Sequence, residues 1–158
     1  MTPKQILEDV RDFLRELTWP SSANLVFGER VYVVAEIPIQ QLPQYGSPCA
    51  FVVDQGNTSH PEHHRLCTQN FNVQLFIENL ASNYGEGGIL SRNKVANTSS
   101  GTGSKEIEAY ILKKMSEIMS LTTKIVLIGT SRSKPQIAAS NYPLIFVSVN
   151  FKAFCWIE

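Results

Sequence analysis

An α+β fold is predicted by three features of the sequence: a mostly antiparallel five-stranded sheet with two helices packed on one face. Amphipathic helical stripes open the chain and recur past its middle. Period-two runs of β-branched and aromatic residues occupy the stretches between and after them, and a glycine- and serine-rich segment separates the halves. The expected order is α-β-β-β-α-β-β within a single domain, residues 1–158, with a flexible loop at 81–103.

The first helix is predicted over residues 3–17. Thr2 suits the cap, Pro3 the first helical position, and Gln5 the place where a capping box takes Glu or Gln. Ile6, Val10, Phe13, Leu14 and Leu17 then form one stripe, while Glu8, Asp9, Arg11, Asp12 and Arg15 face away. Thr18-Trp19-Pro20-Ser21-Ser22 ends it, because the residue before proline is driven out of the α region. Arg30–Ile37 and Cys49–Asp54 read as neighbouring strands, separated by Pro38, Pro43, Gly46 and Pro48. The polar stretch Asp54–Leu66 reads as a long exposed connection, and Phe71, Val73, Leu75 and Ile77 mark the buried face of a third strand. Past the loop, Ser104 caps a helix over 105–120 with Ile107, Tyr110, Ile111, Met115, Ile118 and Met119 on its stripe. Lys124–Gly129 reads as a strand and Ser131–Asn141 as a polar turn region. Tyr142–Ile157 is the last and longest strand.

Composition mainly excludes. The chain is 43% hydrophobic and 18% charged, which rules out wholesale disorder, and its longest apolar runs fall far short of a membrane-spanning helix. Met1-Thr2-Pro3-Lys4-Gln5 has no apolar leader, so a cytoplasmic site of synthesis is expected. Fourteen basic side chains balance fourteen acidic ones, unlike a nucleic-acid binder. The halves differ in sign: residues 1–79 carry five basic and nine acidic groups, residues 80–158 nine and five. Such polarity suits head-to-tail contact between copies, although chance scatter on a solvated surface gives the same numbers. Cys49, Cys67 and Cys155, odd in number and widely spaced, predict reduced thiols rather than a disulfide framework.

Five patterns invite a functional reading. His60, His63, His64 and Cys67 have donor types and a His-x2-His-x3-Cys spacing that suit zinc, but solvated turn histidines and a packing cysteine explain them more simply. Gly101-Thr102-Gly103-Ser104-Lys105 resembles a phosphate loop, yet its lysine is misplaced, so a capped helix after a linker is expected. Asp54 ends a strand, where catalytic carboxylates occur, but Asp before Gln55-Gly56 also forms turns. Phe146, Phe154 and Trp156 put rings on the polar face of the last strand, which implies cover on both faces, from a helix or from another subunit. In the loop, Arg92 and Lys94 flanked by Ile89, Leu90 and Val95 are candidates for inter-subunit or partner contacts, together with Phe154 and Trp156.

The succession of a leading amphipathic helix, Arg30-Val31-Tyr32-Val33-Val34 running to Pro38, Pro48-Cys49-Ala50-Phe51-Val52-Val53, Phe71-Asn72-Val73-Gln74-Leu75-Phe76-Ile77, then a helix and two closing strands resembles the tail terminator, or tail-completion, proteins of long-tailed bacteriophages. The resemblance implies a structural virion protein of the neck. It would form a hexameric ring that caps the tail tube and joins it to the head connector, with genomic DNA passing only through the lumen. Its partners would be its own copies, the tail tube protein and a head-completion or connector protein, with no membrane, no cofactor and no catalytic residues. Assembly would take place in the host bacterial cytoplasm. The alternatives are another virion subunit, a head-completion or tail-tube protein, or a small metal-binding enzyme using the His60, His63 and His64 loop.

Overall fold

Main-chain pairing of long strands organises the molecule, which a computed structural model describes over residues 2–18, 23–46, 48–78, 107–114, 127–132, 136–137 and 144–157. The elements are α1 (Pro3–Glu16), β1 (Val31–Val34), a 3-10 helix η1 (Ile39–Tyr45), β2 (Cys49–Ser59), β3 (Leu66–Glu78), the helical segment α2 (107–114), β4 (Leu127–Arg132), β5 (Gln136–Ile137) and β6 (Leu144–Trp156). The expected flexible loop at 81–103 and most of the expected helix over 105–120 lie outside the described residues.

α1 begins where its cap chemistry places it. The Gln5 amide donates to Thr2 Oγ1 at 3.3 Å, and the Thr2 amide donates to Gln5 Oε1 at 2.9 Å, so both partners of the capping box are present. Ile6, Leu7, Val10 and Leu14 are buried against the sheet.

The α+β class stands; the sheet differs in detail. Among the described residues it has six strands, ordered β1-β2-β3-β6-β4 with β5 also pairing β6. The expected five strands in the order α-β-β-β-α-β-β are therefore corrected. β5 and the end of β4 lie in the stretch read as a polar turn, and β1 runs parallel to β2, from Val31 opposite Ala50 to Val34 opposite Val53. A parallel neighbour requires a crossover, and the connection containing η1 supplies it. β3 and β6 pair antiparallel over their whole lengths, from Leu66 opposite Trp156 to Glu78 opposite Leu144.

Asp54–Leu66 is not a long loop. β2 continues to Ser59 through a bulge between Asp54 and Asn57, and only residues 60–65 turn. The bulge is held by side chains. Asp54 Oδ1 accepts from the Gly56 amide and from Gln69 Nε2, each at 2.8 Å, while Gly56 takes φ +79°, a conformation that favours glycine.

Alternation divides the core into two layers. On the inner face, α1 and α2 cover Ala50, Val52, Phe71, Val73, Leu75, Val149 and Phe151 in one cluster, with the Phe71 and Phe151 rings stacked at 5.3 Å. On the reverse face a smaller cluster gathers Leu42, Cys49, Phe51, Val53 and Phe76 with Tyr32, Tyr45 and Phe146. Phe51 is its centre, edge-on to both Tyr45 and Phe76.

Candidate functional site

The reverse face changes character along β3 and β6. Phe76 and Phe146 stack at 5.6 Å in the cluster that includes Leu42 and Tyr45 of η1. The next register pairs are polar: Gln74 with Ser148, Asn72 with Asn150, Asn70 with Lys152. Asn72 is buried, its Oδ1 has no hydrogen-bond partner among the described residues, and Asn150 Nδ2 donates to Ser131 Oγ at 3.0 Å. Beyond them Thr68 faces Phe154 and Leu66 faces Trp156.

This last stretch forms a partly exposed corner with the hairpin turn. The His60 amide donates to the Leu66 carbonyl at 2.9 Å, and the Ile157 amide donates to the Arg65 carbonyl at 2.8 Å, which ties the end of β6 to the turn. The His60 ring lies 6.1 Å from that of Phe154. Trp156 is 53% exposed and Ile157 40% exposed, and His63, His64, Arg65 and Lys152 are all exposed. Cation-bearing, aromatic and aliphatic groups thus share one corner, a composition common at protein contact sites.

The cysteine expectation is overturned here. Cys67 and Cys155 stand directly opposite in the register, with Cα atoms 5.3 Å apart, and are joined by a disulfide. Cys49 alone is free. Burial, the largest influence on it, pushes its thiol up to about 12, partly opposed by the charge of Arg30. The bond also removes Cys67 from any metal-binding role, and it lies on the inner face, whereas the His60 ring sits against Phe154 on the reverse face. Among the described residues no three His, Cys, Asp or Glu side chains gather where one ion could be held. Asp54 is engaged in holding the bulge.

The opposite charge gathers on the outer side of α1. Asp9, Asp12, Glu16 and the nearby Glu29 are exposed. Arg11 Nε meets Asp12 Oδ1 at 2.7 Å, and this hydrogen bond holds the Asp12 carboxyl below its ordinary value. Arg15 lies 3.4 Å from Glu29 and also donates to the Val31 carbonyl at 3.0 Å, covering part of the β1 edge. Four carboxylates against two guanidiniums leave this face acidic.

Of the residues singled out from the sequence, Phe154 and Trp156 lie at the hairpin corner, whereas Ile89, Leu90, Arg92, Lys94 and Val95, and the Gly101–Lys105 motif, lie outside the described residues. Phe146 is covered by the chain itself. Arg65, Lys152 and Ile157 were not singled out. Arg65 and Ile157 flank the ends of β3 and β6, and Lys152 lies opposite Asn70 within β6. Among the described residues no helix is long and apolar enough to cross a membrane. Compared with protein-family models and with curated proteins, the chain matches none.

Proposed function

We propose that this chain is a structural subunit of a bacteriophage neck, similar to the tail terminators, that assembles into a homohexameric ring capping the tail tube. The observation that carries the reading is the hairpin corner. The chain buries the inner face of its sheet under its own helices, yet leaves Trp156 and Ile157 uncovered beside Arg65 on a corner fixed by strand pairing. Adjacent large apolar groups left exposed together are a feature of protein contact surfaces. The acidic outer side of α1 supplies a second, chemically different surface, as a head-to-tail ring requires. In this role the protein acts by shape, without cofactor or catalytic step. The tube protein and a head-completion or connector protein would be its neighbours in the virion, and DNA would cross only the lumen.

Negative-stain imaging of the purified full chain, alone and mixed with tail tubes, tests the proposal. Closed six-membered rings, free or on tube ends, are expected. Open tubes of the chain alone would make it a tube subunit instead, and a monomer under every condition would overturn the ring.

A further inference from the structure

We infer that the hairpin corner of one copy, through Arg65, Trp156 and Ile157, docks against the acidic outer side of α1, through Asp9, Asp12 and Glu16, of a second copy. The inference rests on the ring reading above and names the contact that would close it. Three observations single out this occupant.

Charge is complementary. Among the described residues the corner carries Arg65, with Lys152 four residues back along β6, against the carboxylate of Glu62, while the α1 face is net acidic even after its internal Arg11–Asp12 and Arg15–Glu29 contacts. Apolar surface is present on both sides. Trp156 and Ile157 stand out of the corner, and Leu25 and Val33 are exposed beside the C-terminal end of α1, where Leu25 bridges to Thr18 and the β1 strand of Val33 is held through Val31 by Arg15. Geometry prevents one copy from satisfying itself. Arg15 ties α1 to β1 at Val31, opposite Ala50, and from Ala50 to the turn after Ser59 is about 30 Å of strand. Two unlike patches far apart on one chain form a heterologous contact, which propagates until the rotation closes.

Docking of this kind concentrates its affinity in a central aromatic and arginine, with the surrounding charges setting orientation. The ordering cost is low on the corner side, because the turn and strand end are already joined through the Arg65 carbonyl.

Charge reversal tests it. Sedimentation velocity and negative-stain imaging compare the wild-type chain with Arg65→Glu, Glu16→Arg and Trp156→Ala, each checked for an unchanged circular dichroism spectrum. Each variant alone is expected to weaken association by about tenfold or more, since like charges then meet or the anchor is lost. Mixing the Arg65→Glu and Glu16→Arg proteins should restore assembly, because each then offers the face that the other lacks. Rings indifferent to all three substitutions would overturn this contact and leave the ring reading standing. A wild-type chain that never forms rings, even on tail tubes, would overturn both. If Arg65→Glu abolishes binding to a short DNA duplex while rings persist, the corner serves nucleic acid and the proposed contact is wrong.

Discussion

Reducing the Cys67–Cys155 disulfide should cost this protein a large part of its stability. The bond spans a sequence separation of 88 residues, and freeing such a loop returns conformational entropy to the unfolded chain worth about 4.5 kcal/mol on the loop-entropy relation. Set against the roughly 5–15 kcal/mol that holds most domains together, this is between a third and most of the whole. Both sulfurs are buried, so reductant added to the native protein reaches them poorly; the chain must be unfolded, reduced, and refolded under reductant. Urea unfolding of the two forms should then differ by about 4 kcal/mol, and melting temperatures by about 10–15 °C for a chain of this size. Thiol titration of the oxidised protein in denaturant should find one reactive group, Cys49. Three thiols in freshly purified protein, or equal urea midpoints with and without reductant, would refute the reasoning.

Other consequences are smaller and equally direct. Asp54→Ala removes two hydrogen bonds from the bulge, one of them from the buried Gln69 amide, and should lower unfolding free energy by about 2 kcal/mol in urea titration while leaving Phe71 and Val73 packed. Cys49 should resist alkylation in the native protein. Its folded value of about 12 lies above the ordinary 9.0, so its contribution to stability is complete below pH 9 and lost as pH rises toward 12, a dependence that Cys49→Ala should abolish. Replacing His60, His63 and His64 together by alanine should shift stability by about 0.5 kcal/mol, since His63 and His64 are exposed and His60 is only half-buried, and zinc should change the melting temperature of neither protein.

How far the sequence discloses this structure depends on which force shapes each element. α1 is legible to within a residue because its cap is local chemistry: Thr2, Pro3 and Gln5 act on their own neighbours. β6 is legible because its alternation persists along the strand, with Val147, Val149, Phe151, Ala153 and Cys155 all buried. The far half of β2 is silent for the opposite reason. Gln55 to Ser59 are exposed, so no apolar period marks them, and the ladder and the Asp54–Gln69 contact hold them instead. Parallel pairing of β1 is equally silent, since alternation reports which face a residue takes and not the direction of its neighbour. An odd count of three cysteines hides the disulfide. Its usable signal was phase: Cys67 shares the inward phase of Phe71 and Val73, as Cys155 shares that of Phe151, and full-length pairing of their strands sets them opposite. Phe154 and Trp156 stood out as rings on a nominally polar face, whereas Arg65 and Ile157 gain their meaning only from the turn that joins them.

The disulfide and the hairpin corner belong to one physical arrangement. Cys67 and Cys155 immediately adjoin Leu66 and Trp156, the last register pair of β3 and β6, so the covalent bond sits directly behind the exposed ring. Without it, the ends of two strands would be held at this point by terminal ladder bonds and the Ile157–Arg65 contact, where fraying is cheapest. A frayed corner must be ordered again on docking, and each side chain fixed costs about 0.5–1.5 kcal/mol. Reduction should therefore weaken association beyond its effect on folding. The distinguishing measurement is association of the reduced chain at a temperature where circular dichroism shows it fully folded. A fall of several-fold there is expected from a corner that has lost its backing. Equal association by oxidised and reduced folded chains would mean that main-chain pairing alone keeps Trp156 in place, and that the disulfide serves the fold and not the contact.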